Sequence, residues 1–405
     1  MMRWLFAILM AILLLSFNSY SQWEKANGGK ELPDSTAISA IMTNGNTVIA
    51  ATAKGVYVST NNGENWVLKN NGLSDPTQIT ALGLKGNLIF AGTYEIGIYV
   101  SSDNGNIWIK KDNGMSGEGI NCFFVNNNNI YAGTSSGIYM SSDNGNNWIP
   151  KNQGITEYEY TGINSLAIKD STIFAGTSDG VYASTNNGDN WSRKNFQVNV
   201  SSIVVNKNNI YISGDGYNTG IHVSTDNGST WVAKNTGMDI SESTKFYLLS
   251  YGDSVYTGAS RQGVFLTNDN GNNWIQYSDG LSPYVQGFEL MLATNEKYLF
   301  VGSTGATGYC TLWRRLHNEP EISVEEDYTM PGILQAYPNP SSDYIFIKCD
   351  GDVSLNQSIK IYDILGNTVW QGIMEGEPIR IDISSFPTGV YYVNVNGSTK
   401  MFVRN

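Results

Sequence analysis

Histidine is almost missing from this 405-residue chain: His222 and His317 are the whole complement. That excludes a histidine-rich metal centre. Cysteine is nearly as scarce. Cys122, Cys310 and Cys349 match no metal-ligand spacing, and an odd number leaves at least one thiol unpaired. Cys122 and Cys310 fall in apolar strand patterns and are expected as buried free thiols. Positive charge is short as well, with 24 Lys and Arg against 36 Asp and Glu for a net charge of −12. Without a basic cluster nothing is available to neutralise phosphates, so nucleic acid and anionic membrane surfaces are not expected partners. Long apolar runs are missing too. The run from Leu5 to Leu15 is too short to span a bilayer. It follows Arg3 and precedes Ser19-Tyr-Ser21-Gln22, the pattern of a secretory signal peptide over residues 1–21. No cysteine lies near that site, so a lipoprotein anchor is not expected. Downstream no transmembrane segment and no amphipathic helix is predicted, and neither a metal nor a cofactor is expected.

What is abundant is repetition. A motif of the form Ser/Thr-x-Asp/Asn-x-Gly-x-x-Trp occurs six times, ending at Trp66, Trp108, Trp148, Trp191, Trp231 and Trp274. The steps between these tryptophans are 42, 40, 43, 40 and 43 residues. A period near 40 built from short strands marks a β-propeller blade. Each repeat holds an apolar strand (Ile79 to Leu84), a second ending in small residues (Leu88 to Thr93), an alternating third (Gly97 to Ser101), the motif as a turn, and a fourth strand from the Trp.

The small-residue patch occurs seven times, from Ala50-Ala-Thr52 to Val301-Gly-Ser303, one more than the turn motif. Trp23 stands 43 residues before Trp66, as an outer strand with no blade ahead of it. Residues 308–313 read as a third strand with no fourth behind it. The N-terminal strand is therefore predicted to complete blade seven and so remove two exposed sheet edges. The predicted fold class is all-β: a seven-bladed β-propeller over residues 22–318, a linker at 319–330, and a small C-terminal β-sandwich over 331–405.

The turn motif resembles the Asp box, or BNR repeat, of sialidases and sortilin-type receptors. Its chemistry is local: the Asp or Asn side chain accepts backbone N–H groups within the hairpin. The acceptors are Asn61, Asp103, Asp143, Asn186, Asp226 and Asp269. Asn in two copies suits a turn acceptor and does not suit a calcium ligand or a catalytic acid, so these residues are read as structural.

The repeat stops near the acidic run from Glu319 to Asp327. After it come Tyr337-Pro-Asn-Pro340, Tyr344-Ile-Phe-Ile347, the stretch Ile359 to Trp370 with its Leu365-Gly-Asn-Thr turn, and Phe386-Pro-Thr-Gly-Val-Tyr-Tyr-Val-Asn-Val395. The segment closely resembles the type A C-terminal sorting domain of the type IX secretion system of Bacteroidetes. The usual end is two basic residues; here it is Arg404-Asn405. The resemblance implies the type IX machinery as a partner, passage through the periplasm, and a product that is secreted or attached to the outer-membrane surface.

Loops at the ligand-binding face of a propeller join second to third strands and fourth strands to the next blade. Assigned so, they carry Tyr94, Glu95, Tyr158, Glu159, Tyr160, Asp215, Tyr217, Arg261 and Tyr284. Aromatic faces with a few carboxylates and one Arg suit a glycan or an extended peptide. The preferred reading is a non-catalytic binding or adhesion propeller, acting as a monomer on a glycan or extracellular protein. The alternative is a glycoside hydrolase. A sialidase needs three converging arginines and a Tyr nucleophile assisted by Glu, and Arg193, Arg261, Arg314 and Arg315 fall at positions that do not converge. The repeat also resembles the photosystem II assembly factor family, whose arginine-rich patch has no counterpart here. The signatures of WD40 and kelch repeats are absent.

Overall fold

The computed structural model describes residues 23–26, 32–33, 36–155, 161–216, 219–240, 244–282, 289–305, 312–317, 333–337, 341–350, 357–363, 367–374, 378–395 and 398–404. The chain divides between Glu319 and Pro320 into two units. In the first unit, short strands interrupted by Gly and Asn pair with their neighbours along the chain, with one exception in the last blade, and seven four-stranded antiparallel sheets result. Among the described residues the only helical element is a single 3-10 turn at Pro76–Gln78.

Six blades are continuous in sequence. Their inner strands are Ile38–Asn44, Ile79–Lys85, Ile120–Asn126, Ile163–Lys169, Val200–Asn206 and Phe246–Tyr251. The seventh runs Leu290–Thr294, Tyr298–Ser303, Leu312–Leu316, and its outer strand is Glu24–Lys25 from the other end of the chain. Glu24 pairs with Arg314 and Lys25 with Trp313, so the ring closes as the sequence predicts. Arg315, and Arg314 with it, lie within the third strand of blade seven rather than after it.

The recurring Ala-Gly-Thr has a packing cause. A Cβ added at Gly92 would sit 2.5 Å from Ile120 of the next blade, and one at Gly302 would sit 2.7 Å from Ile38. At these two positions glycine lets neighbouring sheets approach closely, while Ala51 and Ser213 take the equivalent place in blades one and five. The Thr that follows turns its hydroxyl back on the loop: Thr93 donates to the Gly97 carbonyl and Thr134 to that of Gly137, each at 2.9 Å.

Seven apolar clusters fill the seven gaps between blades. The repeated tryptophans staple these gaps. In each case the indole N–H donates to a main-chain carbonyl on the preceding outer strand: Trp66 to Ala26 (2.7 Å), Trp108 to Lys69 (2.9 Å), Trp148 to Lys111 (3.0 Å), Trp191 to Lys151 (2.9 Å), Trp274 to Lys234 (2.9 Å) and Trp23 to Tyr277 (2.6 Å).

The gap between blades four and five breaks the rule. Here Phe196 N–H takes the Lys194 carbonyl, and the Phe196 carbonyl accepts from Val181. The Trp231 indole N–H is left without an acceptor. Gln197 stands where the other loops carry glycines packed on a Trp carbonyl, at Gly72, Gly114, Gly154 and Gly237. The Phe196 ring wedges edge-on against both His222 and Trp231. This is the least stapled seam of the ring. Trp148→Phe should therefore lower unfolding stability by about 1–2 kcal/mol through loss of a buried hydrogen bond and some packing. Trp231→Phe should cost less than half of that in the same urea titration. Equal losses would show that the two junctions are equivalent.

The C-terminal unit has a three-stranded sheet (Ile333–Tyr337, Tyr344–Asp350, Ile379–Asp382) and a four-stranded sheet (Thr368–Met374, Gln357–Tyr362, Gly389–Val395, Ser398–Arg404). One core of Ile345, Ile347, Ile359, Ile361, Val393 and Phe402 lies between them. Tyr391 stacks on Phe402 and donates its O–H to the Pro387 carbonyl at 2.6 Å. This is a small β-sandwich. The turn residues 364–366 lie outside the described residues.

Candidate binding site at the channel mouth

The polar side chains of the six turn motifs bond within their own hairpins. In every copy the Ser or Thr hydroxyl donates to the acidic or amide side chain two residues on and accepts the Gly N–H. The same side-chain oxygen accepts the N–H of the residue before the Trp. For Asp143 these partners are Ser141 at 2.8 Å and Asn147 at 2.9 Å; for Asn61 they are Ser59 and Asn65, both at 2.9 Å. Asn186 repeats the pattern with Ser184 and Asn190, as do Asp103, Asp226 and Asp269. Bonds from the Asn147 side chain and N–H hold Asp143 down at about 2, and Thr230 does the same for Asp226. Asn makes the same two bonds without a charge, so the motif needs an acceptor and not an anion.

The inner strands line an axial cavity of about 560 Å³. Its mouth is built at the start of these strands. In five blades the register slips there by one residue, between Ile38 and Ala40, Ile79 and Ala81, Ile120 and Cys122, Ile163 and Ser165, and Val200 and Ser202. Such a bulge re-aims the extra side chain. Those side chains are Ser39, Thr80, Asn121, Asn164 and Ser201. Four of them bridge to the next blade: Ser39 donates to the Ile79 carbonyl and Thr80 to that of Ile120, both at 2.6 Å, Asn121 to Ile163 at 3.1 Å and Asn164 to Val200 at 2.9 Å. Blades six and seven have no bulge, and Tyr247 and Met291 occupy the equivalent place.

The residue just before each inner strand sets the rim. Its carbonyl accepts the N–H of the first residue of the loop between second and third strands. These pairs are Ala37 with Ala53, Gln78 with Tyr94, Gly119 with Ser135, Gly162 with Ser178, Asn199 with Asp215, Lys245 with Ser260 and Glu289 with Thr304. Uncharged residues therefore rim blades one to four, apart from exposed loop tips, and charge gathers over blades five to seven. Lys245 Nζ meets Glu289 Oε1 at 2.8 Å, and the Tyr247 hydroxyl donates to Glu289 Oε2 at 2.8 Å. Burial works against the Glu289 anion, but these two bonds win and keep its carboxyl below the usual range. The bond to Glu289 raises Lys245. Burial, with Glu289 alongside, pushes the Tyr247 phenol far up. Asn199 donates to Asp215 Oδ2 at 3.3 Å and accepts from Asn164 at 3.0 Å.

Of the residues singled out in the sequence, Asp215 lines the cavity. Tyr94 is 64% exposed, and Glu95 and Arg261 are exposed, on loops of blades two and six at the same face. Tyr158, Glu159, Tyr160, Tyr217 and Tyr284 lie outside the described residues. Lys245, Tyr247, Glu289, Asn199, Asn121 and Asn164 were not in the predicted set. Their signal lay in the register: aligning the residue before each inner strand isolates Asn199, Lys245 and Glu289.

The arginines stand apart. Arg193 pairs with Asp179 at 2.6 Å, Arg314 with Glu24 at 2.7 Å, and Arg315 lies over Tyr277 at 3.6 Å. Cys122 is half-buried on the channel wall, where it stands opposite Gly133 and packs against the apolar cluster between blades three and four. Its packed surroundings still push the thiol up to about 12. Cys310 and the side chain of Cys349 lie outside the described residues.

Comparison with known proteins agrees with both units. PorZ of Porphyromonas gingivalis, described as an essential bacterial surface component of the type IX secretion system, superposes with a TM-score of 0.55 at 15% identity over 93% of this chain and 60% of its own. The extracellular domain of a putative hybrid two-component system from B. thetaiotaomicron superposes with a TM-score of 0.61 at 12% identity over 96% of this chain and 58% of its own. At these identities the likeness is one of fold. An endo-acting ulvan lyase of Formosa agariphila is 32% identical over 88 residues, 21% of this chain and 16% of the lyase. This chain thus spans under two thirds of each of these three proteins. No helix among the described residues is long and apolar enough to cross a membrane. Residues 335–405 match the secretion system C-terminal sorting domain. The chain is thus a seven-bladed β-propeller carried by a type IX sorting domain to the cell surface or beyond it.

Proposed function

We propose that the propeller is a non-catalytic binding module that holds a glycan or an extracellular protein at its channel mouth. The observation that carries this reading is the rim over blades five to seven. Two ionisable groups converge there on Glu289, and both carboxylate oxygens of Glu289 are engaged, by Lys245 and Tyr247. A glycosidase needs a carboxyl kept protonated to donate to its leaving group. Lys245 and Tyr247 instead hold the Glu289 carboxyl below its usual range, which suits it poorly to that donor role. A fixed ion pair beside amides and hydroxyls is a recognition surface.

The alternative is a glycoside hydrolase, which the ulvan lyase similarity over 21% of this chain leaves open. Asp215 and Glu289 are carboxylates it could use at the described channel mouth. The test is the full chain on an array of glycans and extracellular proteins. The wild type should retain a ligand, and Lys245→Ala/Glu289→Ala should cut retention at least tenfold with unfolding stability within about 1 kcal/mol, as for other surface groups. Full retention by the double variant would remove the channel mouth as the site.

A further inference from the structure

We infer that the channel mouth takes a cationic group, the side chain of a Lys or Arg on a partner polypeptide, with Asp215 as its counter-charge. The inference rests on the channel-mouth reading above and names the ligand class.

Consider which groups are already committed. The Asn121 and Asn164 amides each give an N–H to a main-chain carbonyl of the next blade, which fixes their orientation and leaves the Oδ1 atoms of both without a donor among the described residues. Ser39 and Thr80 spend their hydroxyl hydrogens in the same way. Over blades six and seven the cation of Lys245 is bonded to Glu289 and shares its charge between Glu289 and the nearby Asp215, and the Tyr247 hydrogen is spent on Glu289 too. Asp215 differs. It is half-buried at the cavity wall, its Oδ2 accepts one long bond of 3.3 Å from a neutral amide, and its Oδ1 has no partner among the described residues. Ser201, whose hydroxyl has no partner among the described residues, lines the same cavity.

Among the described residues at the cavity wall, the mouth therefore presents open acceptors and two carboxylates, Asp215 and Glu289, to the one cation of Lys245. A carboxylate partly withdrawn from water gains most from a charged donor. Neutral sugar hydroxyls would satisfy the amide oxygens but leave that charge uncompensated. Sulfated or uronic polysaccharides would meet repulsion from Asp215 within a chain that is already net negative. A long Lys or Arg side chain can reach into the opening while its backbone stays outside, and its donors match both Asp215 and the amide oxygens.

The probes are hexalysine, a neutral oligoglucan and polygalacturonate, titrated against the full chain by calorimetry at low salt. Hexalysine should bind, and its affinity should fall as salt is raised. Asp215→Asn should weaken it at least tenfold. Asp253→Asn removes the same charge from an exposed side chain paired with Lys207 on the opposite face, and it should leave the affinity within twofold. Equal loss in both variants would mean attraction to net charge alone and would overturn the inference. Binding of the oligoglucan or polygalacturonate in preference to hexalysine would overturn it too, while leaving the binding propeller intact. Conversion of either polysaccharide to shorter products would instead overturn the binding reading itself.

Discussion

Removing residues 22–30 should cost the propeller several kcal/mol and leave an aggregation-prone ring. The segment supplies one two-residue strand, yet four separate features depend on it. Trp23 is 3% exposed and sits in the cluster between blades six and seven with Leu266, Leu281 and Leu299. Deleting a buried Trp alone costs about 3–5 kcal/mol. The Trp66 indole loses its acceptor at Ala26. Arg314, 9% exposed, loses Glu24 and keeps only Asn62 and a more distant Glu64. Finally, strand Leu312–Leu316 becomes a bare edge able to pair with another copy. Urea titration should show a midpoint shift well beyond that of a frayed terminus, and light scattering should show association. Trp23→Ala is the milder variant and should recover about half of the loss. A truncated chain within about 1 kcal/mol of the wild type would mean that the ring is not held by this strand.

Deleting residues 328–405 should abolish appearance outside the outer membrane in a host with type IX machinery, and the chain should collect in the periplasm. The expected effect is close to complete, because the matched sorting domain is the feature addressed to that machinery. Fractionation and protease shaving of intact cells would measure it. The propeller unit holds its own seven apolar clusters, and the sandwich holds a separate one, so the retained protein should remain folded. Undiminished surface display would separate export from the tail.

Much of this architecture is readable because it is restated blade after blade. The Trp period marks the turns, the small-residue patch counts one blade more than the turns do, and Trp23 resolves the difference. The chemistry of the mouth is less readable for the opposite reason. It sits where the blades differ. A bulge at Ser39 or Asn164 depends on main-chain pairing that no residue type specifies, and it decides whether a side chain faces the axis or a neighbour. Lys245 and Glu289 lie in connecting segments that lack strand alternation, so periodicity could not place them. Asp215 was readable because it directly follows the small patch of blade five. The Phe196 seam was also written in the chain, as Gln197 in place of the glycine that follows other outer strands, but its consequence for Trp231 depends on which carbonyl a neighbouring N–H captures.

The most direct test of the binding account is mass spectrometry of polysaccharides recovered after long incubation with the full chain. The account predicts that every polysaccharide, bound or unbound, returns at its original length, in the wild type as in Asp215→Asn. Chains shortened by the wild type and spared by Asp215→Asn would contradict it and assign hydrolysis or elimination to the channel mouth.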